Sequence, residues 1–307
     1  MTRQFTLSRS AGAWIEALRP KTLPLALASI LLGSFLAAAD QSFRWPIAVL
    51  CALTAVFLQI LSNLANDYGD AMHGADHVER VGPQRAVQSG LISASAMKRG
   101  MALVVLLSIL SGTAVVWLAF GSRAVLALAL FLLLGAAAIA AAITYTAGKI
   151  PYGYVGLGDV FVLIFFGWVG VLGTYFLQTL RLDWVLFLPA TSCGLLAVAV
   201  LNVNNIRDIE SDRKAGKRTI PVRLGRTRAR RYHWVLLGTA VSLVLIYVLF
   251  NFDHAGQFLF FLSVPLLWKN GTAVSRINVP QQLNPWLKQM SLSTLAFVVT
   301  FGIGQLL

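Results

Sequence analysis

Two acidic, asparagine-flanked clusters interrupt a very apolar chain. The first is Asn63-Leu64-Ala65-Asn66-Asp67-Tyr68-Gly69-Asp70, and the second runs from Asn204 and Asn205 through Asp208, Glu210 and Asp212. On a helix, Asn63, Asn66, Asp67 and Asp70 fall at i, i+3, i+4 and i+7, which places them on one face. Asn204, Asp208 and Asp212, at i, i+4 and i+8, form a second stripe, joined by Asn205 at i+3 from Asp208. Carboxylate and amide oxygens are hard ligands, so Asn63, Asp67, Asp70, Asn204, Asp208 and Asp212 are the predicted Mg²⁺ ligands. Mg²⁺ commonly completes its shell with phosphate oxygens, which points to a diphosphate ligand. The alternative is that Asp and Asn merely terminate their helices and are solvated.

Cationic and aromatic residues surround both clusters. Asn66, Arg80, Arg85, Lys149, Lys217 and Arg223 are candidates for diphosphate, the arginines because a guanidinium forks onto phosphate oxygens. Arg226, Arg228, Arg230 and Arg231 read as a membrane-surface patch. Tyr145 opens a Gly- and Pro-rich segment ending at Asp159. Its ring serves either as an interfacial anchor or as an aromatic face toward a cationic reaction centre. Asp159 is placed to pair with Lys149 or to meet a substrate proton. His73 and His77 have the i,i+4 spacing of a zinc pair, but Gly74 between them argues against a stiff helix.

The elements that position these groups are membrane helices. Of 307 residues, 57% are hydrophobic and 12% charged, and the mean hydropathy is +0.73. A soluble domain carries about 25% charged residues. Nine spans are predicted, centred on Leu23–Ala39, Trp45–Leu64, Met101–Phe120, Ala124–Tyr145, Val155–Leu177, Trp184–Leu201, Trp234–Phe250, Ala255–Trp268 and Leu292–Leu307, the last two short. Residues 1–19 lack the apolar core of a cleavable signal peptide. With the N-terminus inside, 22 of the 25 Lys and Arg fall on the inner side, so both acidic clusters are expected to face the cytoplasm. The net charge of +13 therefore belongs to membrane-proximal loops and not to a nucleic-acid surface. Cys51 and Cys193 lie within apolar spans and read as core residues. The likeness of Asn63-x-x-x-Asp67 to Asn204-x-x-x-Asp208 suggests one domain over residues 1–307, built from parallel four-helix repeats (20–150 and 151–271) plus a ninth helix.

Taken together, Arg19-Pro20-Lys21-Thr22-Leu23-Pro24, Asn63–Asp70, Pro151–Asp159 and Gly216–Gly225 resemble the UbiA superfamily of intramembrane aromatic prenyltransferases. Within it they are similar to the MenA branch, which prenylates 1,4-dihydroxy-2-naphthoate. Many members of the superfamily write the first motif Asn-Asp-x-x-Asp-x-x-x-Asp; here Gly74 stands at the last position and Asp76 follows. The resemblance implies an all-α bundle around a central cavity in the bacterial cytoplasmic membrane, with the N-terminus and the active-site loops cytoplasmic. It also implies Mg²⁺-dependent ionisation of a polyprenyl diphosphate to an allylic cation. Attack by the naphthoate ring, with loss of CO2 and diphosphate, then gives demethylmenaquinone. Catalysis would rest on Asp67, Asp70, Asp208, Asp212 and Tyr145, with Arg19, Lys21 and Asp159 toward the aromatic acceptor. Other acceptors within the class are 4-hydroxybenzoate or another phenol. A cation-coupled transporter is disfavoured, because transporter carboxylates commonly sit near mid-membrane and these sit at helix ends.

Overall fold

The computed structural model of the protein describes residues 11–73, 85–121, 125–148 and 151–307. Every regular element among them is helical. Eight helices are long and apolar enough to cross a membrane: α1 (Ala11–Ala39), α2 (Trp45–Met72), α3 (Ala94–Phe120), α4 (Val125–Thr144), α5 (Gly158–Thr179), α6 (Trp184–Arg207), α7 (Ile220–Phe250) and α9 (Pro280–Gly304). The remaining column, α8, joins a 3-10 segment (Ala255–Ser263) to an α-helix (Val264–Arg276). Gln257, Lys269, Asn270 and Arg276 dilute its hydropathy. It nonetheless follows α9 along its length in the opposite direction. Gln257 Nε2 donates to Gln305 Oε1 (3.1 Å) beyond the end of α9, and Asn270 Nδ2 donates to the Trp286 carbonyl (3.0 Å) near its start.

The helices overrun the apolar stretches at their polar ends. α9 begins twelve residues before the predicted span and α7 fourteen before it, carrying Lys288 and the Arg223–Arg231 cluster as helix. Charged residues are compatible with a helix; only the hydrocarbon excludes them. α7 is broken once, at Gly225, whose φ of 74° is open to glycine at little cost. Cys51 and Cys193 are free and buried, as their apolar context predicts.

Lipid tails are as apolar as leucine, so helix association in a membrane relies on close packing of small residues. α1 buries Ala26, Ala28, Ser29, Gly33, Ser34 and Ala37 between its neighbours. Along α5, residues Leu163–Leu172 form a π-helix, a geometry often found at functional sites. There Gly167 meets α6 so closely that a Cβ would lie 2.7 Å from the Ala190 carbonyl and 3.1 Å from the Gly194 Cα. Backbone cannot yield as a side chain can. Gly167→Val is therefore expected to destabilise the bundle by about 1–3 kcal/mol, read as a lowered thermal midpoint in detergent. An unchanged midpoint would show that this crossing is not tight.

The bundle has two distinct ends. At one, the Arg44 amide donates to Gln178 Oε1 (2.6 Å) and the Tyr175 hydroxyl bonds Asp40. At the other lie both acidic clusters, residues 145–148 and 151–159, and the starts of α7 and α9.

Candidate active site

α2 stays helical through its acidic cluster, so the expected face forms, but neighbours divide it. Asn63 is used by α1: its Nδ2 donates to the Leu18 carbonyl and to Thr22 Oγ1, both at 3.0 Å, and its Oδ1 accepts from Gln59 (3.2 Å). It braces the Pro20–Thr22 turn and does not line the cavity, contrary to the ligand role predicted for it. Asn66 accepts from Thr146 Oγ1 (3.0 Å), which ties the end of α4 to α2. Asp67 receives the Ala86 and Val87 amides at 3.1 and 3.0 Å, so its carboxylate caps the turn that follows Arg85. Asp70 is 1% exposed, and its partners include Arg85 Nη2 (2.6 Å), the Tyr154 hydroxyl (2.9 Å) and Lys217 Nζ (3.0 Å).

The second cluster departs from a continuous stripe. α6 ends at Arg207, Asp208 adopts φ −97° and ψ 9°, and a short helix, Ile209–Lys214, follows. Asn204, Asn205, Asp208 and Asp212 still line the cavity. Arg207, which the sequence reading used only for topology, is central here. Its guanidinium forks onto Asp208 at 2.7 and 2.6 Å, donates to Asn204 (2.8 Å) and reaches Asn284 of α9 (2.9 Å). The available signal was an arginine between Asn204 and Asp208, where a buried charge requires a partner.

One ammonium joins the clusters. Lys217 Nζ lies 3.0 Å from Asp70 and 3.8 Å from Asp212, above the Tyr154 ring at 4.6 Å from its centre. Carboxylates separated by 142 positions in sequence thus share one cation at one end of the bundle.

The 151–159 segment is held from the other side. The Arg218 amide donates to the Tyr154 carbonyl (2.7 Å), and Arg223 donates to the carbonyls of Val155 (2.6 Å) and Arg218 (2.9 Å). Arg223 is therefore a loop clamp, not the phosphate ligand predicted for it. Asp159 accepts from the Tyr232 hydroxyl of α7 (2.8 Å) and does not line the cavity, which removes it from the predicted acceptor group. His73 lies between the carbonyls of Gly69 and Gly148, 2.9 Å from each. Arg80, Lys149, His77, Gly74 and Asp76 lie outside the described residues. Arg19, Lys21, Arg85, Lys217 and Tyr145 line the cavity.

That cavity has a volume of about 1320 Å³. Its charged end holds the aspartates, and its depth is walled by Leu25, Ile30, Leu58, Phe131, Ile139 and Phe165. Aromatic rings descend between these zones: Tyr145 meets Tyr152 edge-on (5.3 Å), Tyr152 stacks on Phe161 (4.1 Å), and Phe161 continues to Phe165 (6.2 Å). Burial first, then the negative charge of Asp212, with Tyr152, Asp159 and Asp70 adding to it, holds the Tyr145 phenol far above its usual range. It is a neutral ring at any working pH. Such a site can hold a polyanion at one end, an apolar chain at the other, and aromatic faces where they join.

A family model described as the UbiA prenyltransferase family matches residues 26–299. The chain belongs to the UbiA prenyltransferase family. It is 48% identical over 304 residues to the 1,4-dihydroxy-2-naphthoate octaprenyltransferase of Escherichia coli (strain K12), covering 99% of this chain and 97% of the relative. It is 49% identical to the enzyme of the same name from Haemophilus influenzae, covering 96% of each. The structure of a UbiA homolog from Archaeoglobus fulgidus bound to GPP and Mg²⁺ superposes with a TM-score of 0.64 at 16% identity, over 94% of this chain and 99% of that one. At that identity the superposition speaks for the fold. Like other UbiA proteins, this one is integral to a membrane.

Among the described residues, no three His, Cys, Asp or Glu side chains form a metal cluster by themselves. The donor set still fits a hard cation. Mg²⁺ needs one or two carboxylates, with substrate phosphates and water supplying the rest. Asp67, Asp70, Asp208 and Asp212 all line the cavity and offer carboxylate oxygens of that kind.

Proposed function

We propose that this UbiA protein transfers the prenyl group of a polyprenyl diphosphate to 1,4-dihydroxy-2-naphthoate. Prenyl replaces the ring carboxyl, which leaves as CO2, and diphosphate departs. The product is demethylmenaquinol, the reduced form of demethylmenaquinone. The observation that carries the reading is the Lys217 bridge, which brings Asp70 and Asp212 to one anion-binding end above an apolar cavity. The names and nearly full-length identity of the bacterial relatives support the acceptor.

Asp67, Asp70, Asp208 and Asp212 would hold Mg²⁺, which when bound would supply positive charge to offset that developing on the leaving diphosphate. Arg85 and Lys217 add charge-assisted N–H donors to the same oxygens, and such contacts strengthen as the C–O bond lengthens. Tyr145, Tyr152 and Phe161 line the cavity and give the allylic carbon an aromatic surrounding, where ring quadrupoles attract positive charge. The apolar walls accommodate the tail and keep water, the competing nucleophile, away. This end faces the cytoplasmic side of the bacterial inner membrane in this reading, which the excess of basic residues there and the bacterial relatives support.

Product analysis tests the reading directly. Purified protein given a polyprenyl diphosphate is expected to yield a decarboxylated prenyl naphthalenediol from naphthoate and no prenylated product from 4-hydroxybenzoate. EDTA should abolish the product and Mg²⁺ restore it. Product from 4-hydroxybenzoate alone would reassign the acceptor.

A further inference from the structure

The charged end of the cavity has a second wall, which the donor chemistry does not use. Asn284, Leu287, Lys288 and Ser291 all line the cavity, and their spacing of i, i+3, i+4 and i+7 makes them one face of α9. This face packs against the Pro20–Thr22 turn, whose Pro20 and Lys21 also line the cavity. Arg207 marks the border with the aspartates, one arm on Asp208 and the other on Asn284.

Two features of this lobe lack a purpose in the protein alone. Ser291 is 2% exposed, and its hydroxyl has no hydrogen-bond partner. A buried hydroxyl left unsatisfied is costly, and such groups usually await a ligand or water. Lys288 and Lys21 have no carboxylate partner among the described residues, whereas Lys217 and Arg85 are each paired with Asp70. Leu287 and Pro20 supply flat apolar surface between these polar groups. A small, flat, anionic aromatic that carries a hydroxyl matches this set.

We propose that Lys288 and Ser291 bind the aromatic acceptor, Lys288 by its carboxylate and Ser291 by a ring hydroxyl, on the α9 wall that adjoins the aspartates at Arg207. The inference rests on the proposed function and adds to it the residues that select the acceptor. Because the carboxylate leaves as CO2 only after the prenyl carbon has bonded to the ring, its ion pair is present both in the bound complex and in the attack that precedes decarboxylation. Loss of Lys288 therefore weakens acceptor binding without slowing the bound complex.

The test compares Lys288→Ala, Lys288→Arg and Ser291→Ala with the unaltered protein. The readouts are steady-state prenyl transfer and inhibition by 1,4-naphthalenediol, which lacks the carboxylate. For Lys288→Ala the expected result is at least a tenfold rise in the naphthoate KM. Its kcat should stay within threefold and its KM for polyprenyl diphosphate should not move. The diol inhibition constant should also be unchanged, and Lys288→Arg should recover most of the loss. Ser291→Ala should weaken naphthoate and the diol alike, by about fivefold. An unmoved naphthoate KM, or a Lys288→Ala loss shared equally by the diol, overturns the proposal. A rise confined to the polyprenyl diphosphate KM does so too, by assigning Lys288 to the donor. If the unaltered protein prenylates only another acceptor, the functional reading fails first and this inference falls with it.

Discussion

Asp70→Asn is expected to lower turnover about 10²–10³-fold while leaving the protein folded and inserted. One carboxylate oxygen meets Arg85, and the other meets both Tyr154 and Lys217. Asparagine keeps the shape but removes the charge and turns one of the two acceptor oxygens into a donor, which then faces either Arg85 or Lys217. In the proposed reaction this charge helps hold the divalent ion on which diphosphate departure depends. Prenyl transfer by purified variant and parent protein, with Mg²⁺ titrated in each, measures the effect. The variant should need more Mg²⁺ and remain slow at saturation. Parent-like turnover at parent-like Mg²⁺ would remove Asp70 from the metal site.

Arg207→Met should have the largest effect on stability. The Arg207 and Asp208 side chains are 4% and 7% exposed, and both guanidinium arms on the carboxylate are short. Removing one partner of a buried pair leaves an uncompensated charge, at a cost of about 3–5 kcal/mol. Methionine fills much of the volume, so the loss is electrostatic more than steric. The proposed metal site adds a signature: Mg²⁺ bound at Asp208 replaces the missing charge. The variant's thermal midpoint in detergent should fall well below the parent's in EDTA, and Mg²⁺ should raise it more than it raises the parent's. Equal midpoints in EDTA would show that the pair contributes little. Equal Mg²⁺ shifts would separate Asp208 from the metal.

Much of the architecture was readable from local properties. Hydropathy over about 20 residues locates a membrane helix because the hydrocarbon acts on that length. It misplaced the starts of α7 and α9, where helices continue into the charged interface that a hydropathy window rejects. α8, predicted as the short span Ala255–Trp268, runs on to Arg276 and is held against α9 by Gln257 and Asn270. At the site, helical spacing named the correct face of α2. It did not show that α1 takes Asn63 while Asp67 and Asp70 continue toward the cavity.

The amino-acid sequence alone determined the membrane class, the two acidic ends and the hard-oxygen character of the site. These follow from residue type and periodicity, which are properties of neighbouring residues. Only the tertiary structure decided partnership: Arg223 to a loop carbonyl, Asp159 to Tyr232, Arg207 to Asp208 and Asn284, and Lys217 between Asp70 and Asp212. A long cationic side chain can reach several carboxylates or carbonyls of similar strength. Helix packing tens to hundreds of residues away determines which of them is near.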